Sequence, residues 1–223
     1  MHYDTDTNKH GLRHDPFKAL IVPRPIGWIS TLDGDGVRNL APYSFFNAVS
    51  DRPPVVLFSS GGRKDSLANI EKTGEFTCSL ATWELREQMN LSSATVSPGV
   101  DEFELAGLEA APSRFVKPPR VARSPAAFEC KHWKTVELPA PAGSPSRPTY
   151  SVVFGLVVGV YIDESYIKDG IVDVGAIRPL ARMGYMDYSV VTPETIFAMN
   201  RPAVAADGRS AAVSSETWDG VYR

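Results

Sequence analysis

The chain has 223 residues, 43% of them hydrophobic and 22% charged, with a formal net charge of -3. That is enough to bury a sizeable core, in the balance of an ordinary globular protein. The mildly acidic total leaves no basic footprint for nucleic acid and no polybasic patch for a membrane, so neither partner is expected.

In chain order, the polar N-terminal arm (Met1-His2-Tyr3-Asp4-Thr5-Asp6) does not read as a signal peptide, and a cytoplasmic protein is expected. His2, His10 and His14 fall in this arm and His132 stands apart, so no metal-ligand spacing emerges. Strands are predicted over Ile26–Thr31 and Val37–Ala41, flanking Asp33-Gly34-Asp35-Gly36, whose glycines suit a tight hairpin. A further apolar run covers Pro54–Ser59. A short helix follows over Ser66–Lys72, with Leu67 and Ile70 on one face, Asp65 as its cap and Gly74 as its stop. A strand at Glu75–Ala81 leads to a second helix, Trp83–Ser92, which Thr82 would cap while Leu85 and Met89 turn inward.

The two longest runs, Ala126–Leu138 and Tyr150–Ile162, are long enough to bend around a barrel, with Gly155 and Gly159 as points of curvature or close approach. The second of these is far too short to span a bilayer as a helix. Pro139 to Pro148, between them, reads as an exposed loop. Cys78 and Cys130 each lie inside an apolar run without CxxC spacing, as buried reduced thiols do. After Asn200 the chain is rich in Ala, Ser and Asp and has little to bury. Strands joined by brief helices predict a mainly β protein: a β-barrel with peripheral helices. One domain is expected over residues 1–200, including the arm, with a C-terminal tail at 201–223.

Three stretches carry candidate chemistry. In Ser59-Ser60-Gly61-Gly62-Arg63-Lys64-Asp65-Ser66, glycines allow close backbone approach, two cations precede a helix, and Ser66 adds a hydroxyl and a free amide. Together they form an anion site at a helix N-terminus, or else a solvated basic turn. In Asn39-Leu40-Ala41-Pro42-Tyr43-Ser44-Phe45-Phe46, Pro42 interrupts ladder pairing, which frees neighbouring groups to face a ligand. The aromatics there serve equally as core or as a ligand wall. Trp28 covers a ring face or fills the barrel interior, and both readings stand. Arg182, in Arg178-Pro179-Leu180-Ala181-Arg182-Met183-Gly184-Tyr185-Met186-Asp187-Tyr188, reaches a phosphate or a substrate, or packs at the surface on Tyr188.

These pieces also occur in a telling order. Residues 25–31 (Pro-Ile-Gly-Trp-Ile-Ser-Thr), 39–46, Arg52-Pro53-Pro54 and Arg63-Lys64-Asp65-Ser66 with Asn69-Ile70 are followed by Gly74-Glu75-Phe76 and Glu102-Phe103 with Ala106-Gly107-Leu108. Phe128-Glu129-Cys130, Phe154-Gly155 and Ala181-Arg182-Met183-Gly184 complete the series. The series resembles the flavin reductase-like family, on its flavoredoxin side, over roughly residues 15 to 190.

The resemblance implies an FMN-binding split β-barrel, usually a homodimer with each flavin near the subunit interface. It would place Ser30, Thr31, Asn39, Ala41, Pro42, Tyr43 and Ser44 along the flavin ring. Ser59, Ser60, Arg63, Lys64 and Ser66 would hold the ribityl and phosphate groups; Trp28 and Arg182 remain candidate cofactor contacts on the residue reading above. The implied activity is transfer of electrons from NAD(P)H through FMN to a free flavin or another acceptor, sometimes a partner oxygenase or redox protein. No catalytic side chain is assigned, because the cofactor carries the chemistry.

The chain departs from the family at one place. Many family reductases carry a histidine shortly before the glycine of the last long strand, and Thr149 to Gly155 holds none. This keeps an alternative in view, a flavoredoxin-like FMN-binding electron carrier without its own nicotinamide site. A dimeric scaffold that has lost flavin is a third reading.

Overall fold

Residues 1–140 and 149–213 are described in a computed structural model of the chain. Strands at Gly27–Leu32 (β1), Arg38–Tyr43 (β2), Phe46–Asp51 (β3), Pro54–Gly61 (β4), Glu75–Leu80 (β5), Ala126–Glu137 (β6) and Tyr150–Ile162 (β7) share one sheet. Its order is β2-β1-β5-β6-β7-β4-β3, with every neighbouring pair antiparallel. The mainly β expectation is met. β3 is the one sheet strand the sequence does not predict. Its residues from Asn47 to Asp51 are all exposed, so no alternation marks it.

Period-two alternation sends neighbours on β1 to opposite faces, and both faces are covered. On one face Ile29 joins Phe58, Phe76, Cys130 and Val153, closed by Leu67 and Ile70 of a helix at Asp65–Thr73 (α1). On the other, Trp28 and Leu40 pack with Leu85, Met89 and Phe103, beneath short helices at Arg86–Leu91 (α2) and Glu102–Leu105 (α3). Phe58, Phe76 and Phe103 are fully buried, each contributing about 1.5–3 kcal/mol by leaving water. The sheet curls until Tyr43, at the end of β2, packs on Phe58 of β4 with ring centroids 4.6 Å apart.

The curl has an identifiable source. The β6–β7 register shifts at Phe154/Gly155 and again at Val157/Gly159. A Cβ at Gly155 would run into the Phe76 ring, and one at Gly159 into Phe115. Gly36 closes the β1–β2 hairpin at φ 88°. Gly74 ends α1 at φ 76°, its N–H donating to the Ile70 carbonyl at 2.8 Å.

Other expectations shift. Asp65 is the first residue of α1 rather than its cap; Lys64 occupies the cap position, and no side chain caps the end. The helix expected from Thr82 divides into a 3-10 turn at Trp83–Leu85 and then α2, without a cap bond from Thr82, although Leu85 and Met89 are buried as expected. A second small sheet joins Arg24–Pro25, Leu180–Arg182 and Tyr188–Val190. Part of the tail is ordered in an exposed hairpin, Ala203–Val204 against Ala211–Ala212. Residues 214–223 of the tail and 141–148 of the predicted loop lie outside the described residues.

Cys78 and Cys130 are free and buried. Burial pushes the Cys78 thiol up to about 12, which leaves it an inert core atom. Among the described residues no helix is long and apolar enough to cross a membrane, and no group of His, Cys, Asp and Glu could hold a metal.

Candidate functional site

The backbone from Ser59 to Ser66 turns out of β4 into α1. Gly62 takes φ 76°, a conformation that suits glycine, and the Ser60 hydroxyl braces the bend by donating to the Gly62 carbonyl at 3.0 Å. The first helical bond runs from Ala68 N–H to the Lys64 carbonyl at 3.0 Å. The amides of Asp65, Ser66 and Leu67 therefore lack helical acceptors, and no cap takes them up. This end carries the positive pole of the helix dipole, with Lys64 beside it.

In front of it opens a cavity of about 490 Å³. Ser59, Gly61, Lys64 and Ser66 line one end, and Asn39, Ala41, Pro42, Tyr43 and Ser44 line a side. A polar chain fixes this corner: the Asn39 amide donates to Ser66 Oγ at 2.9 Å and to Thr31 Oγ1 at 3.2 Å. The Asn69 amide donates to the same Thr31 oxygen at 3.1 Å. The Tyr43 hydroxyl is buried without a hydrogen bond. The hydroxyls of Ser66 and Ser60 lie beside it and partly offset the rise that burial gives its pKa, though neither is aligned to bond.

Not every predicted residue reaches the cavity. Thr31 stands behind Asn39, and Ser60 behind the loop, both fully buried. Ser30 is also fully buried, its hydroxyl unpaired and away from the lining. Trp28 neither covers the cavity nor enters the barrel interior. It fills the opposite core cluster, its Nε1 donating to Ser92 Oγ at 2.9 Å. Arg63 turns back along α1 to pair with Glu71 at 2.7 Å, away from the cavity. Arg182 lines an adjoining cavity instead, its guanidinium 4.5 Å over the Tyr188 ring.

The far wall is absent from the sequence expectations. Lys18, the run Ser92 to Val96 with Pro98, Glu102 and Tyr150 form it, and Phe45 and, at the helix end, Asp65 complete the lining. Small residues such as Ser92-Ser93-Ala94-Thr95 show no periodicity; the only signal for them is the break after α2. Tyr150 faces Phe45 across the mouth, ring centroids 6.1 Å apart. Glu102 is 6% exposed and accepts the Leu40 N–H at 2.9 Å. Burial raises its pKa against that hydrogen bond, and Asp65 and Asp101 add to the rise. Asp101 caps α3 by accepting the Phe103 N–H at 2.8 Å, and its ion pair with Arg38 ties this helix to β2.

Comparison with known proteins places this geometry in context. A protein of Aquifex aeolicus is 38% identical over 174 residues, covering 74% of this chain and 83% of the relative. The crystal structure of nitrilotriacetate monooxygenase component B from Bacillus cereus superposes with a TM-score of 0.78 at 25% identity, covering 88% of this chain and 98% of the other. The Pseudomonas fluorescens 2-nitrobenzoate 2-nitroreductase gives a TM-score of 0.77 at 26% identity, covering 92% and 100%. The split-barrel fold implied by the sequence is that of a structure from Shewanella frigidimarina, TM-score 0.75 at 23% identity. The model of the flavin reductase like domain matches residues 19–180, and the chain belongs to that family.

Proposed function

We propose that the protein is an FMN-dependent oxidoreductase that takes reducing equivalents from NAD(P)H and passes them to a free flavin or another acceptor. One observation carries this reading: an uncapped helix end with Lys64 stands at one end of a cavity whose side is lined by Asn39, Ala41, Pro42, Tyr43 and Ser44. A phosphate needs what the first provides, and a flat heteroaromatic edge needs what the second provides. FMN, when bound, supplies the hydride and electron chemistry.

The chain's own residues bind and orient. Lys64 and the amides of Asp65 to Leu67 hold the phosphate, and Ser59 and Ser66 supply polar contacts along the ribityl chain. Asn39 keeps Ser66 in place. Ala41, Pro42 and Ser44 border the ring, while Tyr150 and Phe45 shield the mouth from water. No acid or base is required of the protein.

A second reading, an FMN-binding electron carrier reduced by a protein partner, is favoured by the lack of a histidine between Thr149 and Gly155. Likeness to a monooxygenase component B favours a partner oxygenase as acceptor. We further propose a homodimer in the cytoplasm. Trp133 on β6 is 66% exposed and meets Phe154 edge-on, an apolar surface of the kind that subunits cover.

The test is anaerobic addition of NADH or NADPH to FMN-loaded protein. Bleaching of the flavin band within the turnover time supports the reductase. Tight FMN retention with no bleaching by either donor selects the carrier, and failure to bind FMN removes both.

A further inference from the structure

Beside the proposed flavin cavity lies a second one of about 320 Å³, and Lys18, Pro42, Ser44 and Ser93 line both. Its charged lining residues are Lys18, Arg24 and Arg182, with no acidic side chain among the rest. None of the three belongs to an ion pair among the described residues. Asp15 of the N-terminal arm feels Lys18 at longer range.

Arg24 is the least expected of them, being only 7% exposed. Its Nη1 donates to the carbonyls of Lys18 and Ile21, both at 2.6 Å, and its Nη2 to the Met183 carbonyl at 2.9 Å. Its Nε is buried with no acceptor at all. Neutral carbonyls fix the direction of the guanidinium without cancelling its charge. A buried charge with no counter-ion is costly. Burial, and then repulsion from Arg182, both act against the protonated form of Arg24. A fold that concentrates unbalanced positive charge in a cavity is stabilised by an anion arriving there.

We propose that the second cavity is an anion-recognition subsite, which seats a small organic anion against the flavin cavity as the cofactor's exchange partner. Exchange with the cofactor rests on the flavin reading of the first cavity; the anion subsite does not. Ile26, Met89 and Tyr188 give the same cavity apolar and aromatic surface, so the ligand carries a compact apolar body behind its charged group. A volume of about 320 Å³ is near the lower end for ligand pockets and suits a ligand no larger than a mononucleotide. The charged group is a carboxylate or a phosphate: the first would belong to an electron acceptor, the second to part of a nicotinamide donor.

Calorimetric titration of the protein, FMN-loaded and FMN-free, with benzoate, AMP and neutral benzamide separates these cases. Benzoate or AMP should bind saturably, and benzamide at least about tenfold more weakly, since it lacks the charge. Arg182→Gln and Lys18→Gln should each weaken the anion about tenfold; Arg182→Gln, outside the flavin cavity, should also leave FMN affinity within about twofold and be partly rescued in Arg182→Lys. Benzoate preferred over AMP identifies an acceptor carboxylate, and AMP preferred identifies the donor's phosphate; both support the subsite. Benzamide binding as well as benzoate, or anion affinity indifferent to both substitutions, overturns it. Anion binding by a protein that takes up no FMN would leave the subsite standing and the flavin reading refuted. FMN uptake without anion binding would do the reverse.

Discussion

The amide nitrogen of Asn39 lies 2.9 Å from the hydroxyl oxygen of Ser66, which couples the start of β2 to the first turn of α1. The same nitrogen reaches Thr31 on β1 at 3.2 Å. The cation-bearing helix end is therefore held against the sheet by side-chain hydrogen bonds as well as by the apolar packing of Leu67 and Ile70. Asn39→Ala removes the donor to the buried Ser66 hydroxyl and leaves Thr31 with the Asn69 amide alone, a loss of about 1–3 kcal/mol. Urea unfolding should show the midpoint falling with an unchanged slope, and FMN should bind more weakly because Ser66 is no longer held. An unaltered midpoint would remove Asn39 from the framework of the site.

Lys64 and Arg63 are neighbours in sequence with opposite fates. Lys64 lines the cavity at the uncapped helix end, whereas Arg63 is 66% exposed and paired with Glu71. Lys64→Ala should weaken FMN by about 1–3 kcal/mol, the worth of a charge-assisted hydrogen bond, and hardly affect riboflavin, which has no phosphate. Arg63→Ala should change FMN affinity by less than about 0.5 kcal/mol, as for other exposed pairs. Fluorescence titration with both flavins reads all four numbers. Equal losses for FMN and riboflavin in Lys64→Ala would show the phosphate to be elsewhere.

Glu102 makes stability depend on pH in a direction that can be worked out. Burial raises its folded pKa above the unfolded value, so the folded state holds this proton more tightly. Its contribution is fully present below the unfolded value and is lost as pH climbs through the folded one. Glu102→Gln keeps an oxygen to accept the Leu40 N–H but cannot ionise. The variant should gain on the wild type as pH rises above the ordinary glutamate range, measured by urea unfolding at a series of pH values. A stability difference independent of pH would mean that Glu102 titrates normally.

What was legible in the sequence follows from where local rules suffice. Asp33 to Gly36, Gly74 and Gly155 announce turns, stops and bends because backbone conformation there depends on the residue itself. Lys64 and Ser66 were readable because a glycine-rich bend before a helix exposes amides wherever it occurs. Arg63 was not, since the direction of a long exposed side chain is set by Glu71, a partner one could choose only after the helix existed. Trp28 was ambiguous for a related reason. Alternation says that Trp28 and Ile29 face opposite ways, but not which face holds the barrel interior. The wall from Ser92 to Pro98 and the exposed edge strand β3 lack a sustained apolar period, and only tertiary packing places them.

Trp28 offers the sharpest separation between a ligand wall and a core residue. Its ring is fully buried among Leu85, Met89 and Phe103. Its Nε1 donates to Ser92 Oγ, which in turn donates to the Met89 carbonyl at 2.8 Å. Trp28→Phe keeps an aromatic ring but shrinks the side chain and removes one donor, while Ser92 retains the Met89 carbonyl as its acceptor. Lost packing and one lost hydrogen bond together cost about 1–3 kcal/mol, which should lower the thermal midpoint by several degrees. A ring stacked on the flavin would behave otherwise, changing the absorption of bound FMN with little cost in stability. The expected result is a lower midpoint with an unshifted flavin band, and a shifted band at an unchanged midpoint would return Trp28 to the cavity wall.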